Sequence, residues 1–157
     1  MNLETTSALH VLHPGDVVCV ERNDQVDTLL GSCVAIILTD PRRTIAAMCH
    51  LVHASPGSVR APDNGAYAEV ALGMMFRLLR QRGINPTLCD AYVYGGGNMF
   101  PNQPAQVDVG AKNAQWAVCA LEEAGIRLVD QQLGGNVYRR MRWTVGHQLP
   151  QVRAVQV

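Results

Sequence analysis

The segment with the clearest chemical potential is residues 28–35 (TLLGSCVA), where a thiol follows two small residues inside an apolar run. Gly31 and Ser32 interrupt the run as a tight bend would, since glycine has the backbone freedom that a bend needs. Such a bend would lift Cys33 out of a sheet and leave backbone N–H groups near Ser32 to face an oxyanion. The pattern fits a cysteine nucleophile, and the alternative is a buried core thiol beside a bulge.

A histidine inside a second apolar run, residues 46–52 (AAMCHLV), is the candidate base. A thiol with a pKa of about 8.5 is mostly protonated at neutral pH, and a neighbouring imidazole raises the thiolate fraction. A turn at residues 40–43 joins the two runs, so Cys33 and His50 can lie side by side on neighbouring strands. The alternative is a core histidine whose hydrogen bonds are satisfied.

A catalytic base usually needs a partner that orients its ring. Asp27 and Thr28 are the polar residues just upstream of the thiol. Consecutive strand residues point to opposite faces of a sheet, so only one of them can face His50. Alternation alone does not decide between Asp27 and Thr28, and the residue that faces away would be a solvated strand position.

Two further patterns suggest binding sites more weakly. The HxxH pairs at residues 10/13 and 50/53 have no cysteine or carboxylate at zinc-like spacing, so no metal site is predicted. Residues 95–98 (GGGN) lack the GxGxxG order and the lysine of nucleotide loops. We interpret them as a loop whose backbone approaches the active site or a peptide substrate closely, so that Gly96 and Asn98 join Ser32 as candidates for binding the oxyanion or the substrate.

The remaining segments supply a scaffold. Apolar residues recur with helical spacing at 65–82 and 111–124, and each predicted helix is followed by a glycine, Gly83 or Gly125. Residues 51–64 are rich in Gly, Pro and Ser and predict a surface loop beside the site. Strands are predicted at residues 16–20, 33–38, 44–52, 88–94 and 126–131, followed by a terminal hairpin of residues 137–145 and 152–157. Two helices are too few for a doubly wound fold, so the prediction is an α/β or α+β domain with a mixed or antiparallel sheet.

Composition narrows the class of protein. A chain of 157 residues predicts one domain, ordered from about residue 10 onward, that buries roughly 70% of its unfolded surface. Thirteen basic residues balance thirteen acidic ones, which argues against a nucleic-acid binder. Five cysteines without a CxxC pair favour free thiols in a reducing compartment, and no stretch has the length of a membrane span. A cytoplasmic protein without membrane insertion is predicted.

Several motifs lie along the chain, at residues 30–35, 48–50, Tyr67 with Glu69, 95–100, 110–113, and Gly134-Gly135 followed by Arg139. Together they resemble the CheD-type chemoreceptor glutamine deamidases, over roughly residues 14–145. The resemblance implies that Cys33 is the nucleophile and His50 the base. The family's third member is a threonine whose closest match by spacing is Asp27, with Thr28 one residue away.

The resemblance implies deamidation of glutamines on the cytoplasmic helices of methyl-accepting chemoreceptors, through a cysteine thioester and without a cofactor. It suggests a CheC-type phosphatase as a further partner. It also implies a mixed β-sandwich with two main helices packed outside, similar to the catalytic fold of the cytotoxic necrotizing factors. The chain departs from the family at His53-Ala54, where Leu-Pro is usual, and at Tyr138, which replaces a glycine. Rival interpretations are a thiol peptidase or amidase, a non-catalytic adaptor, and a metal or nucleotide binder.

Overall fold

A computed structural model of the protein describes residues 7–54, 64–104 and 108–157. Two β-sheets stack face to face, and two helices cover the far side of one of them. The strands are β1 (Leu9–Leu12), β2 (Val17–Glu21), β3 (Gln25–Leu30), β4 (Val34–Thr39), β5 (Ile45–Leu51), β6 (Asp90–Gly95), β7 (Arg127–Leu133), β8 (Val137–Thr144) and β9 (Gln151–Gln156). The helices are α1 (Ala68–Gln81) and α2 (Val109–Glu123), with a short 3-10 helix at Pro86–Leu88.

The central sheet has the order β2-β5-β4-β6-β7. Strands β4 and β5 form its middle, and their residues are buried on both faces almost throughout. This explains why both strands are continuous apolar runs in the sequence, since neither face meets water. Neighbouring strands are antiparallel except for β6 and β7, which are parallel and are joined by a crossover through α2.

The outer sheet has the order β1-β3-β8-β9, with β1 parallel to β3 and the other pairs antiparallel. Strand β8 alternates strictly: Arg139, Met141 and Trp143 are buried, whereas Arg140 and Arg142 are exposed. One face of this sheet therefore packs on the central sheet and the other meets solvent.

The apolar core has two layers. One layer lies between the sheets and the other between the central sheet and the helices. Alternation along β4 distributes its residues between them, because Ala35 and Ile37 face the outer sheet while Ile36 and Leu38 face the helices. The candidate nucleophile, Cys33, packs against the layer between the sheets.

The predicted elements are largely confirmed. Helices predicted at 65–82 and 111–124 are α1 and α2, and both glycines that follow them adopt positive φ, +76° at Gly83 and +71° at Gly125. A mixed α+β architecture is also confirmed. Strands β1 and β3, and with them the separate outer sheet, were not delimited from the sequence. Most of the predicted loop at 51–64 lies outside the described residues. Neither α1 nor α2 is long and apolar enough to cross a bilayer.

Candidate active site

The two central strands bring the candidate nucleophile and base to one face of the sheet. Cys33 follows the bend at Gly31 and Ser32 and directly precedes β4, and His50 lies near the end of β5. The strands are antiparallel with Ala35 opposite His50. Since alternate residues share a face, Cys33 lies on the same side as Ala35 and His50. The thiol packs against the apolar layer between the sheets. The prediction that these residues lie on neighbouring, paired strands is confirmed.

The third residue of the site comes from the outer sheet. Thr28 projects from β3 into the gap between the sheets, and its Oγ1 lies 2.8 Å from Nδ1 of His50. The same hydroxyl donates a hydrogen bond to the carbonyl oxygen of Leu12, also at 2.8 Å. A hydroxyl has a single proton to donate, so the contact with His50 requires Nδ1–H to be the donor. The other ring nitrogen, Nε2, therefore holds the lone pair in the neutral imidazole.

The environment of His50 favours that neutral form. The side chain is 2% exposed. Burial lowers its pKa below the ordinary value, and the Leu12 carbonyl and Asp16 oppose the shift only in part. Nε2 is buried and makes no hydrogen bond to any described residue. Burial thus favours a neutral imidazole, and the free lone pair of its Nε2 is suited to accept a proton.

Cys33 is a free thiol of intermediate exposure. Burial raises its pKa above the ordinary value. Within the described residues, no hydrogen bond joins the thiol to His50, and burial favours the neutral form of both groups over a thiolate–imidazolium pair. The neighbouring Cys49 differs because it is fully buried on the helix side of β5, and burial raises its pKa to about 12. Cys49 is a packing residue.

Asp27 faces the other way, which contradicts the prediction that it lies beside His50. It shares β3 with Thr28 and points to the solvent side of the outer sheet, as strand alternation requires. Its carboxylate accepts hydrogen bonds from Arg142 Nη2 at 2.7 Å and Arg140 Nη2 at 3.3 Å. Burial opposes ionisation, but these two arginines hold the pKa of Asp27 below its ordinary value. Thr28, the alternative, is the residue that contacts His50.

The glycine loop that follows β6 packs directly against the nucleophile segment. Gly96 N donates to the Cys33 carbonyl at 2.8 Å, and Gly97 N donates to the Gly31 carbonyl at 2.9 Å. Gly95 has φ +115°, and a side chain there would collide with the Cys33 carbonyl oxygen. The predicted close approach of this loop to the site is confirmed.

The same hydrogen bonds correct the predicted oxyanion role of the loop. The N–H of Gly96 is committed to Cys33, and that of Asn98 donates to the Gly135 carbonyl at 2.8 Å. Neither N–H is free to stabilise an oxyanion. By contrast, no turn or loop hydrogen bond of the described chain uses the N–H of Ser32 or of Cys33. Those two groups remain the candidate donors.

Asn113 is a site residue whose role the sequence did not reveal. It lies on α2 and is 1% exposed. Its Nδ2 donates to the carbonyls of Ser32 at 3.0 Å and Val52 at 2.9 Å, and its Oδ1 accepts from Ala54 N at 2.8 Å. One amide thus ties the bend before Cys33 to the segment after His50. A polar residue on the buried face of an amphipathic helix was the signal that could have indicated it.

An open cavity of about 230 Å³ lies beside the nucleophile segment. Ser32 forms one side, and the glycine loop and the start of α2 form the others. Its further lining includes Val52, His53, Met99, Phe100 and Val109. The mainly apolar walls fit the stem of a substrate side chain better than a charged group.

The family match and the curated relatives agree with one another. The family described as CheD chemotactic sensory transduction matches residues 53–153. A probable chemoreceptor glutamine deamidase CheD of Pseudomonas savastanoi is 36% identical over 90% of this chain and 81% of its own length. A probable chemoreceptor glutamine deamidase CheD 2 of Albidiferax ferrireducens is 31% identical over 87% of this chain and 81% of its own length.

More distant proteins were also found. A probable chemoreceptor glutamine deamidase CheD of Methanococcus maripaludis is 30% identical over 80% of this chain and 81% of its own length. Among solved structures, hypothetical protein YfiH of Bacillus licheniformis matches with a TM-score of 0.43 and 17% identity, over 82% of this chain and 61% of that one. That likeness is too weak to bear on fold or function.

Proposed function

The chain belongs to the CheD family, and from this premise we propose that it deamidates glutamine side chains of chemoreceptors, with Cys33 as nucleophile and His50 as base. The names of the relatives support the activity and the receptor substrate. One observation carries the assignment of residues. The hydrogen bond between Thr28 and Nδ1 of His50 leaves the lone pair of Nε2 unpaired, on the sheet face that also bears Cys33.

The first chemical step is acylation of the thiol. As Sγ of Cys33 attacks the carboxamide carbon, its proton moves to Nε2 of His50. Because the resting pair is neutral, proton transfer accompanies formation of the carbon–sulfur bond rather than preceding it. The carbonyl π electrons move to oxygen, and the N–H groups of Ser32 and Cys33 are placed to stabilise that oxyanion.

The second step releases ammonia and restores the enzyme. Imidazolium His50 gives its proton to the departing NH₂ group, which leaves as ammonia when the tetrahedral intermediate collapses to a thioester. Water then attacks the thioester while His50 accepts its proton, and the expelled thiolate recovers a proton from His50. The product is a glutamate side chain. Thr28 keeps Nδ1 protonated throughout, so that Nε2 handles every transfer.

The test is incubation of a chemoreceptor cytoplasmic fragment with the wild-type protein, with Cys33→Ser and with Cys119→Ser, followed by peptide mass mapping. Cys119 is an exposed thiol and is the matched control. We expect glutamine-to-glutamate conversion with the wild type and Cys119→Ser, and none with Cys33→Ser. Backbone cleavage would instead select a peptidase. Full cellular function of a Cys33→Ala strain would select a non-catalytic adaptor.

Three finer proposals accompany this function. Residues 1–157 act as a single deamidase domain in the cytoplasm. The sandwich shares the catalytic fold of the cytotoxic necrotizing factors, which superposition on such a domain tests. A CheC-type phosphatase binds the protein, which co-purification tests.

A further inference from the structure

The solvent face of the outer sheet bears a cluster of arginines. Arg140 and Arg142 point outward from β8, and Arg153 on β9 is directly opposite Arg140. Both helices pack on the central sheet, so neither covers this face. The Arg140 and Arg142 side chains are 65% and 51% exposed. The guanidinium groups are therefore accessible to a partner.

The arginine cluster has excess positive charge. Asp27 is the counterion of Arg140 and Arg142, and its side chain is only 7% exposed beneath them. Arg153 makes no ion pair within the described chain. Three cations therefore face one carboxylate, although the whole sequence has a formal net charge of zero. Such a local excess attracts a partner that carries carboxylates.

The shape of this face and its apolar residues favour a protein segment as that partner. A groove of about 420 Å³ is lined by the three arginines together with Gln151 and Val152. Exposed apolar side chains lie beside the charges, because Leu29 is opposite Arg140 and Val11 is opposite Asp27. Carboxylates alternating with apolar side chains on one segment would complement this face, whereas a purely polar anion would leave the apolar side chains uncovered.

The arginine cluster is also close to the active site. Leu29 and Thr28 are neighbours on β3, one facing the solvent and the other His50. Leu29 precedes Cys33 by four residues. A chain of that length spans at most about 14 Å, so the nucleophile lies within that distance of Leu29 on the arginine-bearing sheet.

We propose that this face binds an acidic amphipathic segment of the protein substrate, whose carboxylates pair with Arg140, Arg142 and Arg153. The proposal rests on the proposed function. Each deamidation turns a neutral carboxamide into a carboxylate, so a segment that already carries glutamates near its target glutamine binds more tightly than an unmodified one.

Binding is tested with the full chain carrying Cys33→Ala, which prevents turnover. Two fluorescent peptides of equal length have one target glutamine each, flanked by glutamates in one and by asparagines in the other. We expect the glutamate peptide to bind more tightly at low salt and to lose that advantage at high salt. In the Arg140→Gln/Arg153→Gln variant, the affinity for the glutamate peptide should be roughly three- to tenfold lower, in keeping with the strength of exposed ion pairs.

The matched control is Arg77→Gln/Arg127→Gln, which removes two exposed arginines from α1 and β7 and should leave binding unchanged. Arg142 is retained because it makes the shortest contact with Asp27. Arg153→Gln alone serves as a second variant, since Arg153 forms no side-chain hydrogen bond in the described structure and its loss should not disturb folding. Circular dichroism and thermal unfolding verify the fold of each variant.

Three results would overturn the inference. The first is equal affinity of the protein for the two peptides, and the second is an equal loss of peptide affinity in the two double arginine variants. The third is binding of vesicles of phosphatidylserine and phosphatidylcholine as tightly as the glutamate peptide, with the same dependence on the arginines. Ammonia release by the wild-type protein separates this inference from the proposed function. Arginine-dependent binding without ammonia release would contradict the deamidase proposal and leave the docking face standing.

Discussion

The hydroxyl of Thr28 determines which nitrogen of His50 can act as a base. It donates its only proton to the Leu12 carbonyl and so can only accept from the imidazole. An aspartate in that place would also accept from Nδ1–H, but it would add a buried negative charge and favour the imidazolium. The neutral threonine is thus consistent with the lowered pKa of His50.

Replacing Thr28 by valine tests this role, because valine keeps the shape and removes the hydroxyl. With Nδ1 unpaired, His50 can turn or change tautomer, and we expect kcat to fall on the order of 100-fold with little change in KM. Thr28→Ser should recover most of the activity. The control is Asp27→Asn, which should leave kcat for a short glutamine peptide unchanged. Ammonia release measures all three, and equal losses from Thr28→Val and Asp27→Asn would contradict the assignment.

A second prediction at the residue scale concerns pH. Burial raises the pKa of Cys33 above 9.0 and lowers that of His50 below 6.5. Alkylation of Cys33 by iodoacetamide requires thiolate, so its rate should keep rising, about tenfold per pH unit, from neutral pH upward and level off only above pH 9.0. If His50 is the base, as proposed, deamidation requires its neutral form, so kcat/KM should be level through neutral pH and fall only below pH 6.5. A Cys119→Ser background confines alkylation to less exposed thiols. An alkylation midpoint near neutral pH would reveal a preformed thiolate instead.

At the scale of elements, α2 does more than cover the sheet. Its buried face has the expected small and apolar residues, Gly110, Ala117 and Leu121, but also Asn113. Helical periodicity predicted the element and its approximate ends. The function of Asn113 could not be predicted, because its three hydrogen-bond partners are distant in sequence and come together only when the helix crosses the end of β4.

Asn113→Ala should therefore affect catalysis as well as stability. It leaves the carbonyls of Ser32 and Val52 and the N–H of Ala54 without their partner, which should lower the free energy of unfolding by roughly 1–3 kcal/mol in urea titrations. Because the bend before Cys33 also loses its anchor, kcat should fall at a temperature where the variant is fully folded, while KM changes little. Lys112→Ala, at the exposed neighbouring position, is the control. Normal kcat in a destabilised Asn113→Ala protein would make Asn113 merely structural.

At the scale of the whole molecule, the site is assembled across the sandwich. The pairing of β4 with β5 followed from two apolar runs and one turn, and so the juxtaposition of the Cys33 and His50 strands could be predicted. Contacts between sheets leave no such local pattern. Thr28 and His50 belong to different sheets, and β3 is hard to recognise because polar Asp27 and Thr28 interrupt its apolar residues. The choice between those two residues therefore required the structure.

Because His50 is buried between the sheets, folding should be coupled to its protonation. Its pKa is 6.5 when unfolded and lower when folded, so the unfolded chain binds more protons as the pH falls below 6.5. The neutral ring makes its full contribution to stability above pH 6.5, and this contribution is lost as the pH falls through the lower pKa of His50 in the folded state. The lowered carboxylate pKa values of Asp24, Asp27 and Asp40 affect stability only near and below pH 3.8, outside this window.

Urea unfolding between pH 7.5 and about 5 should thus show, in the wild type, a free energy of unfolding that falls as the pH is lowered. The slope should be shallower in His50→Gln and unchanged in His147→Gln, whose residue is exposed. Identical slopes in the wild type and His50→Gln would mean that the ring is not held neutral between the sheets, and the base would then have to be sought elsewhere.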